Sequence, residues 1–178
     1  PGDGVLEDRL LAVLGPADTV RIGYIGHASE DDEGRISAFY RRFSQCAATS
    51  HLPLKADCAT AAAFLSEVDM LYVGGGSTTR MLGHWRATGI AKQLAAAAHR
   101  GGVMAGVSAG AICWFDDLLL GTAEEGYALC PGLGLLVGSA CPHYHNEMPR
   151  KEAYDSHILA GTLTSGLAID DGVAGLIT

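Results

Sequence analysis

Gly101-Gly102-Val103-Met104-Ala105-Gly106-Val107-Ser108-Ala109-Gly110-Ala111 decides how this chain is read. A short apolar run, Val103 to Val107, has the composition of a buried strand. It leads into the G-x-S-x-G pentapeptide Gly106 to Gly110, and the apolar residues from Ala109 to Phe115 read as a helix. On such a strand-to-helix turn the flanking glycines remove the Cβ atoms that would clash, and the Ser108 hydroxyl projects from the sheet end. The N–H groups opening the helix favour negative charge beside it. Taken alone, the pentapeptide equally describes a serine in an ordinary glycine-rich βα turn.

Outward from the turn, strand and helix signals alternate. Val20 to Gly26 reads as a buried strand, followed by the acidic helix start Ser29 to Glu33 and by Ile36, Phe39, Tyr40 and Phe43 at helical spacing. His51 to Leu54 reads as a strand, Ala59 to Glu67 as a helix, and Val68 to Val73 as a strand ending in Gly74-Gly75-Gly76-Ser77-Thr78. Helices are expected over Thr79 to Trp85 and Ile90 to Arg100. After Phe115 the chain reads as irregular as far as Gly134. A strand is then expected over Leu135 to Cys141, a helix over Lys151 to Ala160, and a closing hairpin from Leu167 to Asp170 and Val173 to Ile177. This order predicts an α/β fold, a mostly parallel sheet with helices on both faces. Ligands of such sheets bind beyond the carboxyl ends of the strands, where Ser108, the Gly74–Gly76 run and His143 all fall.

Composition narrows the function. The 178 residues fit one domain, residues 1–178, and 48% hydrophobic with 18% charged residues describes a globular chain. The net charge of −8, with no Lys/Arg cluster, excludes a nucleic-acid binder. No apolar run is long enough for a membrane span. Five cysteines without a C-x-x-C pair suit buried thiols in a reducing cytoplasm. The chain starts at Pro1 without an initiator Met and ends just after a strand-like segment, so it reads as a portion of a longer protein.

A serine hydroxyl attacks only when a base takes its proton, and imidazole is the usual base. Among the seven histidines, His143 follows a strand end and a turn-forming proline, and is the leading candidate. His51 begins a strand, and His84, His99 and His157 sit on helices. His143-x-His145 invites a zinc reading, but no third ligand is evident and no metal is expected. Gly74-Gly75-Gly76 completes neither phosphate-loop pattern, so no nucleotide cofactor is expected. Its better use is to bring the N–H of Gly75 or Gly76 near an oxyanion, with the N–H of Ala109 as second donor.

Val73-Gly74-Gly75-Gly76-Ser77-Thr78, Gly106-Val107-Ser108-Ala109-Gly110-Ala111 and Pro142-His143-Tyr144 resemble, in order and spacing, the motifs of the peptidase S51 family, which contains peptidase E and the cyanophycinases. The resemblance runs from about Val20 to the end of the chain. It implies a three-layer α/β/α sandwich, flavodoxin-like and related to class I glutamine amidotransferases. It also implies a serine-type peptidase acting on short peptides, including Asp-containing ones. Ser108 would be the nucleophile, His143 the base, and Gly75 or Gly76 with Ala109 the oxyanion hole. The resemblance puts the third triad member near Thr122 to Glu125, making Glu125 and Glu124 the candidates, Glu125 first. Many relatives of this branch carry an Asp two residues after the histidine, where this chain has His145. Asp116, Asp117, Asp170 and Asp171 stay open.

Arg150 and Lys151 lie near the place of a substrate-binding cation in peptidase E, which makes Arg150 a candidate for holding a substrate carboxylate, against the plainer reading of a helix-flanking surface charge. A short peptide is the expected partner, and a homodimer is the default for a small enzyme. Two alternatives stand beside this reading: a binding domain of the same fold with a decayed triad, and an esterase-type serine hydrolase. Too little chain follows Ser108 for the usual α/β-hydrolase order.

Overall fold

In the computed structural model, residues 4–14 and 20–178 are described. They form two compact units, one within residues 7–111 and the other comprising Ile112–Thr178 with residues 4–6. Among the described residues of the first unit, strands β1 (Arg21–Ile25), β2 (Ala48–Leu52), β3 (Met70–Val73) and β4 (Val103–Gly106) make a wholly parallel sheet in the order β2-β1-β3-β4. The helices are α1 (Val5–Leu14), which belongs to this unit from Glu7 onward, α2 (Glu33–Phe43), α3 (Cys58–Glu67), α4 (Thr78–Thr88) and α5 (Ile90–His99).

Consecutive residues of β1 show how this sheet is covered. The Tyr24 ring stacks on Phe39 of α2 at 4.8 Å. Gly23 beside it points to the opposite face, where an added Cβ would lie 2.6 Å from Phe64 of α3. One residue lays an aromatic under α2, and the next is reduced to hydrogen so that α3 can come close. Val20, Ile22, Tyr24, Phe39, Phe43 and Met70 form one core cluster, against which Leu10, Leu11 and Leu14 of α1 pack. Side-chain caps fix the helix starts: Asp32 Oδ1 accepts from the Arg35 N–H at 2.9 Å, and Asp57 Oδ1 from the Thr60 N–H at 2.7 Å. The strand order is the flavodoxin-type one, with its reversal point between β1 and β3.

The second unit differs from the sequence expectation. The helix after Ser108 is only α6 (Ala109–Ile112), and the stretch expected to be irregular holds β5 (Phe115–Thr122) and β6 (Gly126–Pro131). These pair as an antiparallel hairpin from Asp117↔Pro131 to Thr122↔Gly126. β7 (Leu136–Pro142) runs parallel to β5, and β8 (Leu167–Ile169) parallel to β7. The closing hairpin does not form: Leu167–Ile169 pairs with β7, while Val173, Leu176 and Ile177 are exposed. Helix α7 (Met148–Leu159) supplies Tyr154 to a cluster with Leu119, Cys141 and Leu163.

Candidate active site

At the carboxyl edge of the first sheet, β1, β3 and β4 end in glycine-containing turns that lock together. The Ser77 N–H donates to Ala28 O at 2.8 Å, tying the glycine loop after β3 to the 3-10 turn after β1. The Val107 N–H donates to Val73 O at 3.0 Å, carrying the β3–β4 pairing into the elbow. Ser108 itself has φ = 53°, the left-handed region that a β-carbon disfavours. A residue other than glycine held there costs about 1–3 kcal/mol, which the surrounding packing must impose. That packing is visible at both flanking glycines. A Cβ on Gly106 would lie 2.2 Å from Gly110 O, and one on Gly110 would lie 2.1 Å from Val73 O. The turn is therefore as tight as G-x-S-x-G implied.

With α6 one turn long, little macrodipole stands behind Ser108. The N–H groups of Gly75, Gly76 and Ala109 are not consumed in the backbone hydrogen bonding of the described residues. Gly75 lies against the elbow: a Cβ there would meet Ser108 Cβ and Val107 O, each at 3.2 Å. Gly76 has φ = 141°, and a Cβ on it would lie 2.2 Å from Ala28 O, so both needs converge on glycine. The Gly75 carbonyl accepts a 2.7 Å hydrogen bond from Arg35 Nη1, a residue for which the sequence pattern holds no signal.

His143, at the end of β7 in the second unit, also has a left-handed backbone, with φ = 56°. Its Nδ1 pairs with Asp171 Oδ1, just beyond β8. The neighbouring pair repeats the pattern: His145 Nδ1 lies 3.0 Å from Asp170 Oδ2, and the His145 N–H donates to Asp170 Oδ1 at 2.7 Å. That backbone bond is the main reason the Asp170 carboxyl sits below the usual range, the His145 side chain adding to it. Asn146 Oδ1 accepts from the Asp171 N–H at 2.8 Å, which seats the acid. Glu124 and Glu125 lie at the exposed tip of the β5–β6 hairpin, where the Glu125 N–H donates to Thr122 Oγ1 at 3.2 Å. Asp171, one of the acids left open by spacing, pairs with His143, brought there by the parallel register of β8 on β7.

Arg150 is buried rather than flanking its helix as a surface charge. Its Nε donates to Glu147 Oε2 at 2.9 Å and its Nη2 to Gly121 O at 2.9 Å, with the guanidinium 5.2 Å from the Tyr127 ring centre. Only 8% of its side chain is exposed, and its bonds fasten α7 to β5. His27, His51 and His157 have partners of their own. Trp85 Nε1 donates to His27 Nδ1 at 2.9 Å, so His27 Nε2 carries the proton facing Leu52 O at 3.1 Å. Burial holds the His27 imidazole below the ordinary histidine value. His51 Nδ1 meets Tyr40 Oη at 2.8 Å, and His157 Nδ1 meets Thr162 Oγ1 at 2.8 Å.

Among the described residues, no group of three or more His, Cys, Asp or Glu side chains is arranged to hold a metal, and no helix is long and apolar enough to cross a membrane. Cys113 and Cys141 are buried, and burial pushes the Cys141 thiol up to about 12.

An α/β protein whose mostly parallel strands lead into a left-handed serine elbow is the class that these features define. The chain belongs to peptidase family S51, whose family model matches residues 4–178. It is 38% identical over 174 residues to the uncharacterized peptidase YgaJ of Bacillus subtilis (strain 168), covering 97% of this chain and 75% of that protein. A putative peptidase E from Listeria monocytogenes EGD-e has a similar structure, with a TM-score of 0.65 at 21% identity, over 85% of this chain and 80% of that one. A peptidase from an acI-B1 Actinobacterium aligns with a TM-score of 0.61 at 17% identity, over 75% of this chain and 61% of that one. At these identities the two structures speak for the fold.

Proposed function

We propose that this chain is a serine peptidase that hydrolyses short peptides, Asp-containing ones among them, through an acyl-enzyme. Family membership supports a peptidase. The observation that carries the serine mechanism is the left-handed backbone of Ser108, enforced by glycines on both sides. A strained serine presented at a sheet edge, beside N–H groups not consumed in backbone hydrogen bonding, is a costly arrangement for a purely structural residue.

In this reading His143 takes the Ser108 proton as Oγ attacks the scissile carbonyl carbon, and it then gives that proton to the leaving amine. Water repeats the sequence on the ester and restores the serine. The N–H groups of Ala109 and of Gly75 or Gly76 hold the oxyanion. Asp171 accepts from His143 Nδ1–H, leaving Nε2 as the base. The family spacing favours Glu125 or Glu124 as the acid, but the observed His143–Asp171 pair supports Asp171 ahead of them.

The test is Ser108→Ala. The parent should cleave aspartyl dipeptides and take up a fluorophosphonate covalently, and the variant should do neither while keeping its unfolding midpoint. Undiminished turnover or labelling in Ser108→Ala would remove the mechanism.

A further inference from the structure

Resting on the serine reading above, we infer that Arg35 is a positioning residue that selects the Gly76 N–H as the oxyanion donor by clamping the Gly75–Gly76 peptide. The peptide lies between two glycines, and glycine leaves the flanking torsions nearly unrestrained. Backbone hydrogen bonds hold its neighbours, Gly74 N–H on Ile25 O and Ser77 N–H on Ala28 O, but among the described residues none holds this peptide itself against rotation about its long axis. That rotation would put the Gly75 carbonyl oxygen where the Gly76 N–H had been, replacing a dipole that attracts an anion with one that repels it.

Arg35 opposes the rotation. Its Nη1 donates to Gly75 O at 2.7 Å, a charge-assisted bond of ordinary strong geometry. In a trans peptide the carbonyl and the N–H point in opposite directions, so a carbonyl drawn to the guanidinium sends the Gly76 N–H away from it. Gly75 itself touches the elbow, 3.2 Å from an added Cβ to Ser108 Cβ, so the oriented unit borders the nucleophile. The clamp is anchored at its base too, because the Arg35 backbone N–H caps onto Asp32 at the start of α2. Its positive charge polarises the amide further, making the Gly76 N–H a better donor. Arg35, Gly75, Gly76 and Ser108 all belong to the first unit, so its own packing holds the device together.

The experiment uses an uncharged alkyl fluorophosphonate, whose reaction with serine develops charge on an oxygen and carries no carboxylate for an arginine to recognise. Its saturable labelling separates the limiting rate from the half-saturating concentration. Removing an oxyanion donor outright slows a serine enzyme by about 10²–10³, and a donor present part of the time should lose less. Arg35→Met should therefore lower the limiting rate by about 10- to 100-fold, with half-saturation changed by less than about threefold. Arg35→Lys, a single-point donor, should fall between Arg35→Met and the parent. Methylguanidinium should restore much of the rate to Arg35→Ala while leaving Ser108→Ala unlabelled.

A limiting rate in Arg35→Met within about twofold of the parent overturns the proposal, as does a loss confined to half-saturation, which would make Arg35 a binding residue. Should Arg35→Met fail to fold, Arg35→Lys and rescued Arg35→Ala decide it, and parent-like rates in Arg35→Lys together with no rescue overturn it. A parent protein that takes no label removes the serine reading itself. Labelling lost in Ser108→Ala but unaffected by Arg35→Met removes only the clamp.

Discussion

Replacing Asp171 by Asn tests how the proposed base is oriented. Asp171 Oδ1 faces His143 Nδ1, so the carboxylate favours the tautomer with its proton on Nδ1 and none on Nε2. Asn can turn its amide NH2 toward the ring, which favours the opposite tautomer, with Nε2 protonated and unable to accept a proton from serine. A buried triad aspartate replaced in this way costs about 10⁴ in kcat. Here 56% of the Asp171 side chain is exposed, so water competes for the amide and screens the lost charge. The expected loss in kcat/KM is therefore smaller, about 10²–10³, or roughly 2.7–4.1 kcal/mol of transition-state stabilisation. Hydrolysis of an aspartyl dipeptide across pH 6–9 reads it, with thermal unfolding as the control for folding. Glu125→Gln, at the exposed hairpin tip, should change kcat/KM by less than about threefold. Near-parent activity in Asp171→Asn beside a large loss in Glu125→Gln would refute the assignment and return the role to the hairpin.

Gly110→Ala adds a methyl group 2.1 Å from Val73 O, a backbone atom of a buried strand that cannot swing aside. It should lower unfolding stability by about 3 kcal/mol and abolish fluorophosphonate labelling, and a loss under about 1 kcal/mol in urea denaturation would show that the elbow is looser than described. Burial depresses the His27 pKa in the folded state, so below the unfolded value of about 6.5 the unfolded chain binds the extra proton first. Its contribution is fully present above that pH and is lost as pH falls through the folded value. Denaturation between pH 7.5 and 5 should show that slope in the parent and a flatter one in His27→Gln, and equal slopes would assign it to other groups.

The sequence made the first sheet legible because buried parallel strands are continuous apolar runs that end abruptly. VRIGYIG, VDMLYV and VMAGV each stop at a glycine or serine turn, and the elbow follows from the third. β5 and β6 were hidden for the opposite reason. The apolar residues after Ser108 extend a helical reading past its true end at Ile112, and β6 is an edge strand whose half-exposed residues give only weak alternation. The apolar run Val173 to Ile177 suggested a strand, yet the structure gives it no regular form. α1 was missed although Leu6, Leu10 and Leu14 recur at helical spacing, being a single short segment at the start of the chain. For the candidate site, Ser108 and His143 are marked by their local turns, whereas Asp171 and Arg35 meet His143 and Gly75 across long stretches of chain. Such pairings come from register and helix docking, which spacing does not encode.

The twin pairs His143–Asp171 and His145–Asp170 have a consequence for how the chain responds to heat. Both acids hang from the far end of β8, a strand of three residues joined to the sheet along one side only. Short terminal strands fray well before a core melts. Once β8 unzips, both imidazoles lose their anchors together while the serine elbow stands intact. On warming, hydrolysis should then fade several degrees before cooperative unfolding, and return on cooling without any need to refold.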